Sequence, residues 1–227
     1  MERGESRRTW RSGLAQHSVF VVDDHPIVRR GYIEIIRREE DLTVCGEAGT
    51  ADEAMQRIPE ANPELMIVDL SLDGTGGLEL IKQINAEFPS IKVLVASMHD
   101  ESVYAERALH AGATGYINKE QTTDHLIGAI RTVLLGKVYL SELMTERLLT
   151  RARIGEISKS PIESLTDREL EVFELLGKGL TTHEIAERIS RSVKTIESHR
   201  ENIKTKLGCK NSAELTHRAT VWVYENS

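Results

Sequence analysis

The sequence predicts a doubly wound α/β domain on a five-stranded parallel sheet, followed by a small all-α domain. Three observations carry this. Short apolar runs alternate with amphipathic helical stretches from Ser18 to Leu135, the pattern of successive βα units joined by right-handed crossovers. One run, Leu65-Met-Ile-Val68, is wholly apolar and ends in an acid, Asp69, as a strand buried on both faces does. From Leu165 onward the strand-like runs stop, and capped helical segments follow one another.

In order, Ser18-Val-Phe-Val-Val22 is the first strand and leads directly into Asp23 and Asp24. Ile27, Val28, Ile33, Ile35 and Ile36 then alternate with Arg29, Arg30, Arg37 and Arg38, an amphipathic helix that packs on a sheet. Leu42 to Ala48 reads as the second strand, and Thr50-Ala-Asp-Glu53 as a capping box opening a helix through Ile58. Leu65 to Asp69 is the third strand. Leu78 to Phe88 is helical and stops at Pro89, because proline has no amide hydrogen with which to continue a helix. Lys92 to Ser97 is the fourth strand, Glu101 to His110 a helix ended at Gly112, Thr114 to Asn118 the fifth strand and Thr123 to Leu135 the fifth helix. Gly136 to Ser141 closes this domain. Glu142 to Ala152 reads as a linker helix with Leu143, Met144, Leu148 and Leu149 as its apolar stripe, and Arg153 to Ser164 as a flexible boundary.

Two further capping boxes, Thr166-Asp-Arg-Glu169 and Thr181-Thr-His-Glu184, open successive helices. The turn Ser190-Arg-Ser192 delivers a third helix, Val193 to Leu207, stopped by Gly208, and Asn211 caps a fourth. Two helices joined by a short turn, the second of them basic, form a helix-turn-helix. In that basic helix Val193, Ile196, Ile203 and Leu207 make the expected buried face. Lys194, Glu197, Ser198, Arg200, Glu201 and Lys204 project away from it.

Composition bounds the function. Net charge is −7, so nothing global announces nucleic acid, yet residues 188–210 hold seven Lys or Arg against two Glu, a local basic footprint. Cys45 and Cys209 fall in different predicted domains and make no metal or disulfide spacing, which fits a reducing cytosol. The eight histidines form no H-x-x-x-H or Cys/His cluster, and a transition-metal site is not expected. Residues 1–17 carry Arg3, Arg7, Arg8 and Arg11 without an apolar core, which reads as a disordered extension and not a secretory signal. No run approaches the roughly 20 apolar residues that span a bilayer; a cytoplasmic protein without membrane attachment is expected.

The acids point to chemistry. Asp23, Asp24 and Asp69 all follow apolar strands, so three carboxylates converge at one sheet edge, where open α/β sheets place ligands. Packed together they repel unless a cation neutralises them. Hard oxygen ligands suit Mg2+, and a divalent ion beside a carboxylate suits phosphoryl chemistry. Acids that merely close strand ends are the alternative at this point. Lys119 adds a mobile positive charge at a neighbouring strand end, and Ser97 a small hydroxyl able to donate to a phosphoryl oxygen. Tyr116 is amphipathic, so its ring suits either an inward or an outward position.

Four motifs in order, Val-Asp23-Asp24-His-Pro, Val-Asp69-Leu-Ser-Leu, Val-Ala-Ser97-Met-His and Gly115-Tyr116-Ile-Asn-Lys119, resemble those of the receiver domain of a two-component response regulator. Lys194-Thr-Ile-Glu-Ser-His-Arg200 resembles the recognition motif of the LuxR/FixJ-type helix-turn-helix of the NarL subfamily. The resemblance covers nearly everything after residue 17. It implies a flavodoxin-like receiver over 18–140, a linker with a helix over 141–164 and a DNA-binding domain over 165–227.

By the same resemblance Asp69 is the phosphoacceptor, and Mg2+ is held by Asp23, Asp24, Asp69 and the Ser71 backbone carbonyl. Ser97 is the hydroxyl switch, Tyr116 the aromatic switch and Lys119 the family's lysine. Ser71 and His99, two residues beyond acceptor and switch, tune dephosphorylation. The expected DNA contacts are Lys194, Glu197 and Ser198 to base edges, Thr195, His199 and Arg200 mainly to phosphate, and Lys204 on the same face. The implied partners are a sensor histidine kinase, an inverted-repeat double-stranded DNA, a second copy when phosphorylated, and RNA polymerase.

One departure stands out: the family usually has Met-Pro-Gly after the acceptor strand, whereas here Leu72-Asp73-Gly74 stands. The implied protein is a phosphorylation-controlled transcription regulator and not an enzyme, beyond accepting a phosphoryl group and losing it slowly. Two rivals are weighed against it. A haloacid-dehalogenase-like phosphatase needs a second Asp two residues after the nucleophile, where Ser71 stands. A regulator that binds DNA constitutively would use the receiver only as an interaction module. Gly74-Thr-Gly-Gly77 lacks the Gly-Lys-Ser/Thr ending of a P-loop.

Overall fold

The computed structural model describes residues 16–154 and 161–226. Most of the expected N-terminal extension and the middle of the expected flexible boundary lie outside the described residues. Five parallel strands, β1 (His17–Val22), β2 (Leu42–Ala48), β3 (Leu65–Val68), β4 (Lys92–Ser97) and β5 (Gly115–Asn118), form one sheet in the order β2-β1-β3-β4-β5. β1 starts one residue earlier than the pattern predicts. Strand order reverses between β1 and β3, the switch point at which such sheets leave a crevice at their carboxyl ends. Asp23 and Asp69 are the residues that leave those two strands.

The period-2 alternation of side chains distributes the core. Val19, Val21, Leu65, Ile67, Leu94, Ala96 and Ile117 face α1 (Pro26–Ile36) and α5 (Thr122–Leu134). Phe20, Val22, Met66, Val68, Val93, Val95 and Tyr116 face α2 (Ala51–Ala61), α3 (Gly77–Glu87) and α4 (Glu101–Ala111). The start of the β5 edge is covered: Tyr116 N–H donates to Tyr139 O at 2.8 Å and Tyr139 N–H to Thr114 O at 3.2 Å, which shortens the exposed edge. α2 passes beyond its predicted end, with Pro59 inside it, and stops where Asn62 turns left-handed at φ 43°.

The linker helix α6 (Glu142–Ile154) divides the stripe expected of it. Met144 is buried and Leu148 packs beside it, while Leu143 and Leu149 are 78% and 66% exposed. Met144 and Leu148 are four apart and share a face; Leu143 and Leu149 lie a hundred degrees to either side of it.

The second domain comprises α7 (Asp167–Gly177), α8 (Thr182–Arg188), α9 (Val193–Leu207) and α10 (Ser212–Glu225). Both expected capping boxes form, Thr166 with Glu169 and Thr181 with Glu184. Leu170, Phe173, Ile185, Ile196, Ile203, Leu215 and Ala219 are its buried centre, and the Phe173 and Trp222 rings lie 5.7 Å apart. Val193, expected in the buried face of α9, is instead 39% exposed, as the first residue of the helix.

Gly77 is fixed by the site it supports. A Cβ there would lie 2.1 Å from the Asp69 carbonyl oxygen and 2.6 Å from Leu70 Cα, both rigid backbone. Gly77→Ala is expected to destabilise the receiver by about 2 kcal/mol, the scale of overpacking a filled site. Urea unfolding of the variant checks this, and an unchanged midpoint would show that the acceptor loop is loosely held.

Candidate functional site

Asp23 and Asp69 are buried, and the Lys119 ammonium bridges them, with its Nζ 2.7 Å from Asp23 Oδ2 and 2.7 Å from Asp69 Oδ2. Burial raises the Asp69 pKa, and the Asp23 charge adds to that, against the downward pull of Lys119. Burial works against the Lys119 charge, but Asp69 and Asp23 outweigh it and raise its pKa. Lys119 therefore stays charged without fully neutralising the pair. Asp69 Oδ1 is buried with no hydrogen-bond partner.

Ligand atoms of Asp23, Asp24, His25 and Asp69 lie within 4.8 Å of one another. A buried, under-neutralised carboxylate cluster with a spare oxygen has the donor chemistry of a hard divalent cation such as Mg2+. The exposed His25 ring lies against Asp24, Nδ1 to Oδ1 2.6 Å.

The switch residues meet at His99. Its backbone N–H donates to Ser97 Oγ at 3.1 Å, and its carbonyl accepts from Tyr116 Oη at 2.8 Å. The Tyr116 ring is already inside, buried, and burial pushes its hydroxyl well up, so it remains a donor. Of the two positions open to the ring, the structure takes the inward one. The His99 side chain reaches Ser71 Oγ with Nε2 at 3.0 Å.

That same imidazole contacts the second domain: Nδ1 lies 3.1 Å from Glu174 Oε1 on α7. Tyr104 stacks on His99 with centroids 4.5 Å apart and donates to Glu174 Oε2 at 2.7 Å. Asp167, at the start of α7, accepts from Lys82 at 2.7 Å and Arg107 at 3.0 Å. The loop that departs from Met-Pro-Gly joins in. Gly74 N–H donates to Arg188 O at 3.2 Å, Asp73 Oδ1 lies 3.4 Å from Arg188 Nε, and Arg168 donates to Thr75 O at 2.5 Å. The sequence reading missed Glu174, Tyr104, Asp167 and Arg188. Only Glu174 carries a local signal: it stands four residues after Leu170 and next to Phe173, a carboxylate within an apolar stripe.

On α9, Lys194, Glu197 and Ser198 are exposed along with Glu201, whereas Thr195, His199, Arg200 and Lys204 are half-buried. Arg200 donates to Thr182 Oγ1 at the start of α8, and Lys204 pairs with Glu201 at 2.8 Å. The receiver packs on α7 and the end of α8, so the three expected base-reading side chains face outward.

The family model described as the response regulator receiver domain matches residues 19–131, and that of bacterial regulatory proteins of the luxR family matches 163–219. The oxygen regulatory protein NreC of Staphylococcus epidermidis is 37% identical over 208 residues, 88% of this chain and 95% of that protein. This chain is a response regulator of the NarL/FixJ type. NreC of Staphylococcus carnosus is 35% identical over 207 residues, again covering 88% and 95%. Among solved structures, the regulator resembles RcsB of Salmonella typhimurium, with a TM-score of 0.71, 27% identity and coverage of 91% of this chain and 98% of that one. RcsB of Salmonella enterica serovar Typhimurium bound to promoter rprA with the phosphomimetic BeF3− gives 0.65 and 27%, over 90% and 98%. The regulator is thus a two-component transcription regulator with a DNA-binding helix-turn-helix. Among its described residues no helix is long and apolar enough to cross a membrane.

Mg2+ is expected to raise the melting temperature of the regulator in proportion to the logarithm of its concentration, as for any ligand of the native state. Asp24→Asn is expected to lose most of that rise. Thermal melts over a Mg2+ titration check this, and equal rises in both proteins would remove the acids from the metal site.

Proposed function

We propose that a sensor histidine kinase transfers a phosphoryl group to Asp69, and that this modification governs DNA binding in the cytoplasm by a pair of these chains. The observation that carries the reading is the bridge of Lys119 between Asp23 and Asp69 at 2.7 Å each, beside a buried unpartnered Asp69 oxygen. Asp69 is the nucleophile: its carboxylate oxygen bonds to phosphorus as the donor's bond breaks. Lys119 and Ser97 offer donors to the phosphoryl oxygens, in a site sheltered from water where such donors act strongly. Asp23, Asp24, Asp69 and the Ser71 carbonyl would hold Mg2+, which when bound offsets the charge that carboxylate and phosphoryl group accumulate together.

Ser97 and Tyr116 both hold His99. A Ser97 hydroxyl drawn to a phosphoryl oxygen changes one of those two bonds, which ties occupancy to the segment that touches α7. Because Tyr116 is already inside, transmission runs through this bond and not through admission of the ring. The reading is non-enzymatic: no second acid stands at Ser71 to turn a phosphoester over.

Each α9 reaches only a few base pairs, so a pair of modules supplies the contacts needed against genomic DNA. Two-fold pairing makes the target an inverted repeat with half-sites roughly 10 base pairs apart, and RNA polymerase the downstream partner.

Acetyl phosphate or beryllofluoride with Mg2+ is expected to occupy Asp69, and Asp69→Asn to abolish this. Intact-mass labelling that survives in Asp69→Asn would sink the assignment.

On DNA, Glu197→Ala is expected to relax preference at one base position by about 1–3 kcal/mol, whereas Arg200→Ala weakens all sequences alike and flattens the salt slope by about one unit. Binding-site selection with salt titrations checks both. Unaltered sequence preference in Glu197→Ala would overturn the docking geometry.

A further inference from the structure

His99 touches the acceptor loop, both switch residues and the DNA-binding domain together. Ser71 and His99 stand two residues beyond Asp69 and Ser97, on the loops leaving the adjacent strands β3 and β4, and their side chains join at 3.0 Å. An imidazole has two ring nitrogens and no other polar atom. Here Nε2 is spent on Ser71 and Nδ1 on Glu174 at 3.1 Å. Tyr104 stacks on the ring and donates to the second Glu174 oxygen, and Lys178 approaches Glu174 Oε1 at 2.6 Å. Burial alone would raise the Glu174 pKa, but His99 and Lys178 outweigh it and hold the carboxyl at about 2. A carboxylate can only accept, so His99 Nδ1 is the donor in this pair.

We propose that Glu174, contributed by the DNA-binding domain, is a positioning residue for His99, and that docking of the two domains thereby lengthens the life of the phosphoryl group on Asp69. The inference rests on the phosphoacceptor reading above. Loss of the group is hydrolysis: a water oxygen bonds to phosphorus, the bond from phosphorus to the Asp69 oxygen breaks, and the products are the carboxylate and dihydrogen phosphate carrying both water protons. A side chain beside the pocket speeds this step when it can hold the attacking water in line. Docked, His99 has no ring nitrogen left for a water. Released from Glu174, the imidazole turns about its side-chain bonds and offers one. The DNA-binding domain is then not only the output of the receiver but a keeper of its signal, and separation of the domains starts the clock on its loss.

The test uses the full chain, labelled with acetyl phosphate and Mg2+, then freed of donor and followed by phosphate-retention electrophoresis. Glu174→Ala is expected to shorten the phosphoryl half-life by roughly fivefold or more, the scale of an ordinary coupling between sites. Glu174→Gln, which keeps an acceptor for Nδ1–H, is expected to stay near the unmodified chain. In a His99→Ala background Glu174→Ala is expected to change nothing, since the effect passes through the imidazole. An unchanged or longer half-life in Glu174→Ala overturns the proposal. So does equal shortening with and without His99, which makes Glu174 a general brace of the interface. If the unmodified chain takes no label on Asp69, the phosphoacceptor reading falls and this inference with it; label that decays alike in all variants refutes the inference alone.

Discussion

Two carboxylates from different strands lie buried against a single ammonium, and much of the receiver serves to keep them there. Asp23 and Asp69 leave neighbouring strands at the point where the sheet order reverses, and Lys119 arrives from the loop after β5 to sit 2.7 Å from each. Removing two charges from water is costly even when they are paired, and leaving one unpaired costs more. The arrangement holds because the surrounding structure allows little else: Gly77 presses on the Asp69 carbonyl, and Asp23 Oδ1 accepts the His25 amide at 2.8 Å. A pocket in which positive charge falls short of negative has the charge balance that a bound cation would complete.

From this pocket the contacts run outward through hydrogen bonds and packed rings. Ser97 and Tyr116 grip the His99 backbone, the His99 ring grips Ser71 and Glu174, and Tyr104 closes over both partners. The apolar cluster under the α2–α4 face is continuous with the centre of the helix-turn-helix. The two domains therefore share one packed core, and packed surfaces of this kind rearrange between discrete states instead of bending smoothly.

What the sequence made legible was local. The acids at strand ends, the capping boxes of α7 and α8 and the period of each helix depend on residues a few positions apart, and they reappear in place with ends shifted by at most about three residues; at α2 Thr50 still caps Glu53 N–H, but the Glu53 carboxylate accepts from Gly49 and not from the cap residue, so that box is not closed. What it did not make legible depends on how the two domains meet. Glu174 and His99 are 75 residues apart, and nothing near either specifies the other. The stripe of α6 divides because Met144 and Leu148 find a partner surface and their neighbours do not. Val193 is exposed although its apolar side chain suits the interior. Arg200 is read as a phosphate contact from its charge, and its bond to Thr182 requires knowing where α8 ends up.

The loop after the acceptor has a consequence for how such chains diverge. Where Leu72-Asp73-Gly74 stands in place of the Met-Pro-Gly of the family pattern, Asp73 reaches Arg188 and the Gly74 amide reaches the Arg188 carbonyl. The residue that replaces a rigid turn is thus matched to a side chain in the other domain. This receiver, grafted onto a module without a basic residue at the end of α8, would carry a loop whose charge and shape answer to a surface no longer there. The seam between the modules, and not only their interiors, thus carries residues whose contacts depend on which two modules are joined.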